Sequence, residues 1–498
     1  MLTMPRGSAR IPESTTDCDV LIIGSGAGGS AVALELATAG HDVTVLEEGP
    51  RIGPKEISAA TPADNLRMLY RHGGLVPIFG RPTIAYGEGR CVGGTTEING
   101  GIFWEPTEEL LDRWATEYGI GSYRMSNLAG HVAKIVHRLG VTEQAAGAGN
   151  RDSALLSSGA ETLGWQWGRP QRAARGCTHL NRCTTGCPTG AKQSMSIAYL
   201  PEAESYGARI LPNTRVLRLE HDRGTVTGVV AVNSLGARTR FRPRAVFVAA
   251  GPFGSAALLR RSGIHRGRAG RNIAFHVNLR TVARFDDIVD AGHGTIFTAQ
   301  IHEFASRGML IMPSNVTPGG LAAATAGHGP DTVQRLVDGF DHLVVYTTQV
   351  QMTGRAHLAH APLTGEVMWH TLKASDFAAI RDAFRETARL LLAAGAVELI
   401  PPVDLAGSLR TESDVDDFCA KVRPGDWELV SVHAMSSCRM AVPQRGGVCD
   451  ELGRPYGYRN LRVCDASVLP GATTVSPQGS IMAFAHEIAA RYHVACGS

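Results

Sequence analysis

The chain has 498 residues, enough for about two to four domain-sized units or one large two-lobed enzyme. Hydrophobic residues make up 44% and charged residues 19%, which excludes disorder for most of the chain and supplies ample material for a core. Lys and Arg (49) nearly cancel Asp and Glu (46), and a net charge of +3 speaks against a nucleic-acid binder.

Met1 to Thr16 is polar and lacks the apolar centre of a secretory leader. No run approaches the roughly 18 apolar residues of a spanning helix, so no transmembrane segment is expected. The ten cysteines are scattered apart from Cys177, Cys183 and Cys187, which suits a cytoplasmic chain with reduced thiols. Peripheral membrane contact stays open.

Asp19 to Ile23 is a short apolar run that ends in glycine, the pattern of a buried parallel strand. Gly24-Ser25-Gly26-Ala27-Gly28-Gly29 follows, then small and aliphatic residues at helical spacing from Ser30 to Ala39, stopped by Gly40. A second strand, Asp42 to Leu46, ends at Glu47. This order is the dinucleotide-binding βαβ unit. Gly24 permits the tight turn, Gly26 lets the backbone approach a pyrophosphate, and Gly29 lets helix and strand pack closely. The helix N-terminus offers N–H groups to the phosphates, and Glu47 is placed to accept hydrogen bonds from a ribose.

The cofactor of such a unit is NAD or FAD, and two later segments favour FAD. Gly89 to Thr96, with Asn99-Gly100, forms a second glycine loop suited to running beside an extended cofactor. Ala245 to Gly251 reads as another buried strand ending in glycine, followed by a helix through Leu258 and Leu259. Between the cofactor segments, His342 to Met352 alternates as a strand and His357 to Trp369 contains a turn centred on Gly365. Asp376 to Ala394 has helical periodicity.

With these segments and three C-terminal motifs, the chain resembles the glucose-methanol-choline (GMC) oxidoreductase family of FAD enzymes. The C-terminal motifs are His433 to Met440, Asn460 to Ser467, and Ser476-Pro477-Gln478 through Ala485. The resemblance implies an α/β fold, α+β overall: a Rossmann-like FAD-binding domain with an inserted substrate domain on an antiparallel sheet. Residues 17–105, 195–275 and 430–498 fall to the FAD-binding domain, and 106–194 and 276–429 to the substrate domain. Carried over residue by residue, it assigns cofactor contacts to Gly24, Gly26, Ala27, Gly29, Glu47 and Glu48. Arg90, Gly93, Gly94, Thr95, Asn99 and Gly100 form a second group. Val216, Ala250, Gly251, Asp465, Ala466, Pro477 and Gln478 complete it. Some relatives hold FAD through a His after the position of Gly94; Thr95, Thr96 and Glu97 stand here, so non-covalent FAD is expected.

The same resemblance places the catalytic His at His433. Alcohol oxidation needs a group that takes the hydroxyl proton while hydride leaves carbon for flavin N5, and a neutral imidazole, with an ordinary pKa of about 6.5, suits that task. The second catalytic position, His or Asn in most relatives, is Ser476 here. Serine donates one hydrogen bond but accepts a proton poorly unless activated. The first reading is that His433 works alone and Ser476 positions the substrate. The others bring in a different residue, such as His276 or His486, or leave redox activity weakened or lost.

Cys177-x5-Cys183-x3-Cys187, with His179 in the loop, is similar to a Cys-rich stretch of long-chain alcohol oxidases and bacterial sugar dehydrogenases. Similar spacing carries a three-iron cluster in some of those dehydrogenases. Reduced structural thiols are the first reading; an iron–sulfur cluster, zinc or a disulfide stand behind it. The function expected is FAD-dependent oxidation of a sugar, polyol, fatty or steroid-like alcohol, with oxygen or another acceptor taking the electrons. A flavin-containing lyase, such as a hydroxynitrile lyase, and a non-catalytic flavoprotein subunit are the alternatives. Substrate and oligomeric state are not legible.

Overall fold

The computed structural model describes residues 14–143, 148–314, 317–361, 365–403 and 407–497. Most of the N-terminal stretch read above for a leader, and the turn residues 362–364, lie outside them. Among the described residues no helix is long and apolar enough to cross a membrane.

Val20, Leu21 and Ile22 are fully buried because both faces of their strand are covered. That strand, Ser14–Ile23, pairs in parallel with Val43–Leu46 on one side and Arg238–Val248 on the other. The helix between the first two strands, Ala27–Thr38, starts three residues earlier than the periodicity suggests, because its glycines are helical. Arg209–Leu211 extends the sheet beyond Val43–Leu46. On the far side, Thr225–Asn233 and Thr214–Asp222 turn antiparallel. Arg238–Val248 is therefore longer than the apolar run alone: its first half alternates polar and buried residues in the antiparallel part, and only Ala245–Val248 are continuously buried. Leu461–Val463 joins in parallel beside Val246–Val248 and brings the C-terminus to the cofactor-type turns.

The second sheet is mixed and organised around one strand, Ala274–Arg284. It pairs antiparallel with Leu343–Gln351 from His276 opposite Gln351 to Arg284 opposite Leu343. On its other edge Asn278 faces Val430, and Ala274 faces Met435. Strands Tyr70–Phe79 and Ile84–Gly89 enter the same sheet, the latter parallel to Leu429–Ser431. Met309–Pro313 lies beyond Leu343–Gln351. The strand expected over 342–352 is thus found, and Arg355–Ala361 and Gly365–Thr371 pair as antiparallel neighbours. Ala374–Ala393 is the long helix, packed on Leu343–Gln351 and on the helix Arg151–Leu163.

Close approach sets the sequence of the first turn. Gly24 has φ +100°, a conformation L side chains rarely adopt. A Cβ on Gly28 would stand 1.9 Å from the carbonyl oxygen of Cys464, so the helix Ala27–Thr38 and the C-terminal crossover press backbone against backbone. At Gly26 a Cβ would meet nothing within 4 Å. Gly28→Ala is therefore expected to destabilise the fold by about 1–3 kcal/mol and lower Tm by several degrees. With both variants stripped of FAD, Gly26→Ala should leave Tm within about a degree, on the order of a surface change. Thermal melts of the two variants side by side check this; equal losses would show the contact at Gly28 to be easily relieved.

Candidate active site

The two sheets and the segments between them enclose a cavity of 1610 Å³. A pocket for one small ligand has about 300–1,000 Å³, so this space suits an extended cofactor and a substrate together.

At one end the first glycine turn forms the wall, with Gly24, Gly26 and Ala27 lining the cavity. No side chain caps the helix that starts there, so its first N–H groups and positive dipole end are left for an anion. The open space beside Gly26 is the cradle a diphosphate needs. Glu47 also lines the cavity, and its carboxylate accepts from Ser25 N (3.1 Å), Ser25 Oγ (2.8 Å) and Gly49 N (2.9 Å). Burial pushes its pKa up against these bonds, which hold the carboxylate still at the cavity wall. Glu48 is bound instead by Arg71, which also pairs with Glu88.

Of the remaining expected contacts, Gly94, Thr95, Asn99, Gly100, Val216, Ala250, Gly251, Asp465, Ala466, Pro477 and Gln478 all line the cavity. Asn99 Nδ2 donates to Gln478 Oε1 at 2.8 Å, joining segments that are far apart in sequence. Gly29, Arg90 and Gly93 do not line it. Gly29 packs behind the turn, where a Cβ would stand 2.0 Å from Gly24 O. Arg90 donates to the Glu48 carbonyl, and Gly93 N donates to Ser25 Oγ at 3.0 Å. These three hold the wall from outside because turn and loop must pack on each other before either can face a ligand.

At the other end His433 faces the cavity from the loop after Leu429–Ser431. Its Nδ1 lies 3.0 Å from Nδ1 of the fully buried His276, whose Nε2 lies 2.6 Å from the carbonyl oxygen of Thr473. A carbonyl only accepts, so His276 Nε2 carries the proton. Burial pushes the pKa of His276 down to about 4, so the ring is neutral and its Nδ1 accepts from His433 Nδ1–H. The tautomer assigned in this way leaves His433 Nε2 with its lone pair, and no described residue binds that atom. Burial, reinforced by His276, also holds the pKa of His433 well below the ordinary value.

Ser476 lines the same cavity, and among the described residues its hydroxyl has no hydrogen-bond partner. His486 is elsewhere: its Nδ1 is 2.9 Å from Glu35 Oε2 and its ring stacks on His131. Of the two histidines that could stand in for the His or Asn, His276 therefore lies behind His433, and His486 does not line the cavity. Beyond His433 the wall combines apolar residues (Ile296, Phe297, Leu310, Met312, Val345) with Asn278, Arg280, Gln300, Thr347 and Gln349.

Lys192 is almost fully buried and donates all three N–H bonds to carbonyls of Glu97 (2.8 Å), Asn99 (2.8 Å) and Cys183 (2.7 Å). It clamps the second glycine loop to the cysteine loop. Cys177 contacts Thr295 Oγ1, Cys183 Sγ accepts from Arg172 Nη2, and Cys187 Sγ accepts from Lys192 N. Among the described residues no three His, Cys, Asp or Glu side chains converge as a metal site, and all described cysteines are free thiols.

Comparisons with known proteins give the family of the chain. Residues 66–278 and 351–485 match models described as GMC oxidoreductase, and residues 22–74 match an NAD(P)-binding Rossmann-like domain. An uncharacterized GMC-type oxidoreductase of Mycobacterium tuberculosis is 34% identical over 479 residues, covering 96% of this chain and 76% of the relative. A long-chain-alcohol oxidase of Arabidopsis thaliana is 25% identical over 528 residues, covering 95% of this chain and 66% of the relative. The crystal structure of pyridoxine 4-oxidase from Mesorbium loti superposes with a TM-score of 0.74 at 17% identity, over 96% of this chain and 99% of that one. The chain belongs to the GMC oxidoreductase family and is an oxidoreductase.

Proposed function

We propose that the protein oxidises an alcohol CH–OH group to a carbonyl with non-covalent FAD, using His433 as the proton acceptor. The observation that carries this reading is the Thr473–His276–His433 chain, which leaves an unprotonated imidazole nitrogen at a cavity that also contains a dinucleotide cradle. FAD, when bound, accepts the hydride that the carbinol carbon gives up. Gly24, Gly26 and the start of the helix Ala27–Thr38 would hold its diphosphate, Glu47 a ribose, and Asn99 and Gln478 the far end. His433 Nε2 takes the hydroxyl proton, and the bond from Nδ1 to His276 keeps the ring from rotating. Ser476 supplies a hydrogen bond to the substrate oxygen. The relative named as a long-chain-alcohol oxidase supports an alcohol substrate, and oxygen or another acceptor takes the electrons.

The depressed pKa of His433 has a direct consequence for pH dependence. A base whose pKa lies below 6.5 stays neutral through mildly acidic pH, so the rate should be lost only as pH falls well below that value. Anaerobic flavin reduction by a substrate alcohol should therefore stay level from pH 8 to about 6 and decline further down. An acid limb centred on about 6.5 would show that the imidazole is solvated.

His433→Ala should bind FAD normally and slow flavin reduction by about 10²–10⁴-fold. Full reduction rates in stopped flow would remove His433 from the mechanism. Ser476→Ala should raise KM and lower kcat by about tenfold together, as expected for one lost hydrogen bond of roughly 1 kcal/mol or somewhat more. Unchanged constants would leave His433 without that help. Gly26→Ala, which folds, should lose FAD on gel filtration because its methyl group enters the diphosphate cradle; retained yellow colour would place the diphosphate elsewhere.

A further inference from the structure

The strand Ala274–Arg284 continues past His276, and alternation puts Asn278 and Arg280 on the same sheet face. Both line the cavity, opposite Gln349 and Thr347 of the next strand. Among the described residues, no hydrogen bond or ion pair holds the Arg280 guanidinium. The other arginines of the cavity differ. Arg71 is locked between Glu48 and Glu88, Arg182 donates to two carbonyls, and Arg261 donates to Leu217 O. Arg215 is exposed beside Val216 at the cofactor end.

An Arg in this position is costly unless something compensates its charge. Burial lowers its pKa and only the charge of Glu428 opposes that effect, so the protein itself leaves the cation under-compensated. A planar guanidinium with free N–H groups, in a low-dielectric wall, is suited to bidentate capture of a carboxylate or phosphate. Four residues of strand separate Arg280 from His276, roughly 13 Å between Cα atoms. Leu310 and Met312, on the strand beyond Thr347 and Gln349, line the cavity and supply an apolar wall.

We propose that Arg280 is a specificity residue and that the substrate is an elongated hydroxy-anion, its carbinol at His433, its carboxylate or phosphate monoester on Arg280, and an apolar body between them. The position of the carbinol rests on the alcohol-oxidation reading above; the anion site does not.

The test uses the full-length FAD-loaded enzyme. Straight-chain alkyl carboxylates, alkyl phosphates and the matching neutral amides and alcohols are titrated while the flavin absorbance is followed. Anions should bind about 10- to 100-fold more tightly than their neutral counterparts, the range expected for hydrogen bonds between charged groups. That preference should shrink with added salt, vanish in Arg280→Met and survive in part in Arg280→Lys. The better of the two anions identifies carboxylate or phosphate as the natural group. Equal affinities for charged and neutral compounds in the wild-type enzyme, or a preference that persists in Arg280→Met, would overturn the proposal. The wild-type comparison decides the matter even where a variant does not fold. Anion preference without flavin reduction by any hydroxy-carboxylate or hydroxyalkyl phosphate would sink the alcohol reading and leave the anion site standing. Reduction by neutral alcohols with no anion preference would do the reverse.

Discussion

The carboxylate of Asp465 accepts hydrogen bonds from Gly251 N (2.8 Å), Ser255 Oγ (2.5 Å) and Ser467 N (2.8 Å), and a further one from Ser467 Oγ. A buried carboxylate needs such donors, since burial alone pushes its pKa up. Here they come from a strand-to-helix turn and from the C-terminal segment, so the two are locked together. The next residues then hold the segment after His433: Ser436 N, Cys438 N and Met440 N bond to the carbonyls of Ala466, Ser467 and Val468. Where His433 stands relative to the cofactor turns therefore depends on this one acidic group.

A second constraint runs through the strand Ala274–Arg284. Its backbone is held on both edges, and His276 N donates to His433 O at 3.2 Å. Strand periodicity then places His276, Asn278 and Arg280 in a row along one wall. The same element positions His276, which sets the tautomer of His433, and Arg280, which under the proposal would meet the far end of a substrate. The pocket is built on a sheet rather than on a loop, which limits how far these groups can drift.

Much of the cofactor end was legible because its chemistry is local. A tight turn, an uncapped helix start and an acidic strand end all fall between Asp19 and Glu47, and each leaves a mark in residue type and spacing. The long helix and the strand at 343–351 were visible by periodicity for the same reason. What stayed hidden was support across sequence. Nothing near Lys192 announces three carbonyl partners from two loops, and Gly29, Arg90 and Gly93 brace the cavity wall rather than face it. Ser25, the hydroxyl that steadies Glu47, is inconspicuous in a glycine loop.

The sequence by itself determined the family and the βαβ unit, and it singled out the His433 motif, because those depend on short-range patterns of residue type. Only the tertiary structure decided that His276 is the partner of His433, that His486 is not, and that no described residue forms an ion pair with Arg280 at the cavity wall. Those relations join residues far apart in the chain, 157 positions in the His276–His433 pair. Hydrogen bonding and desolvation act through space, and chain order carries no direct record of either.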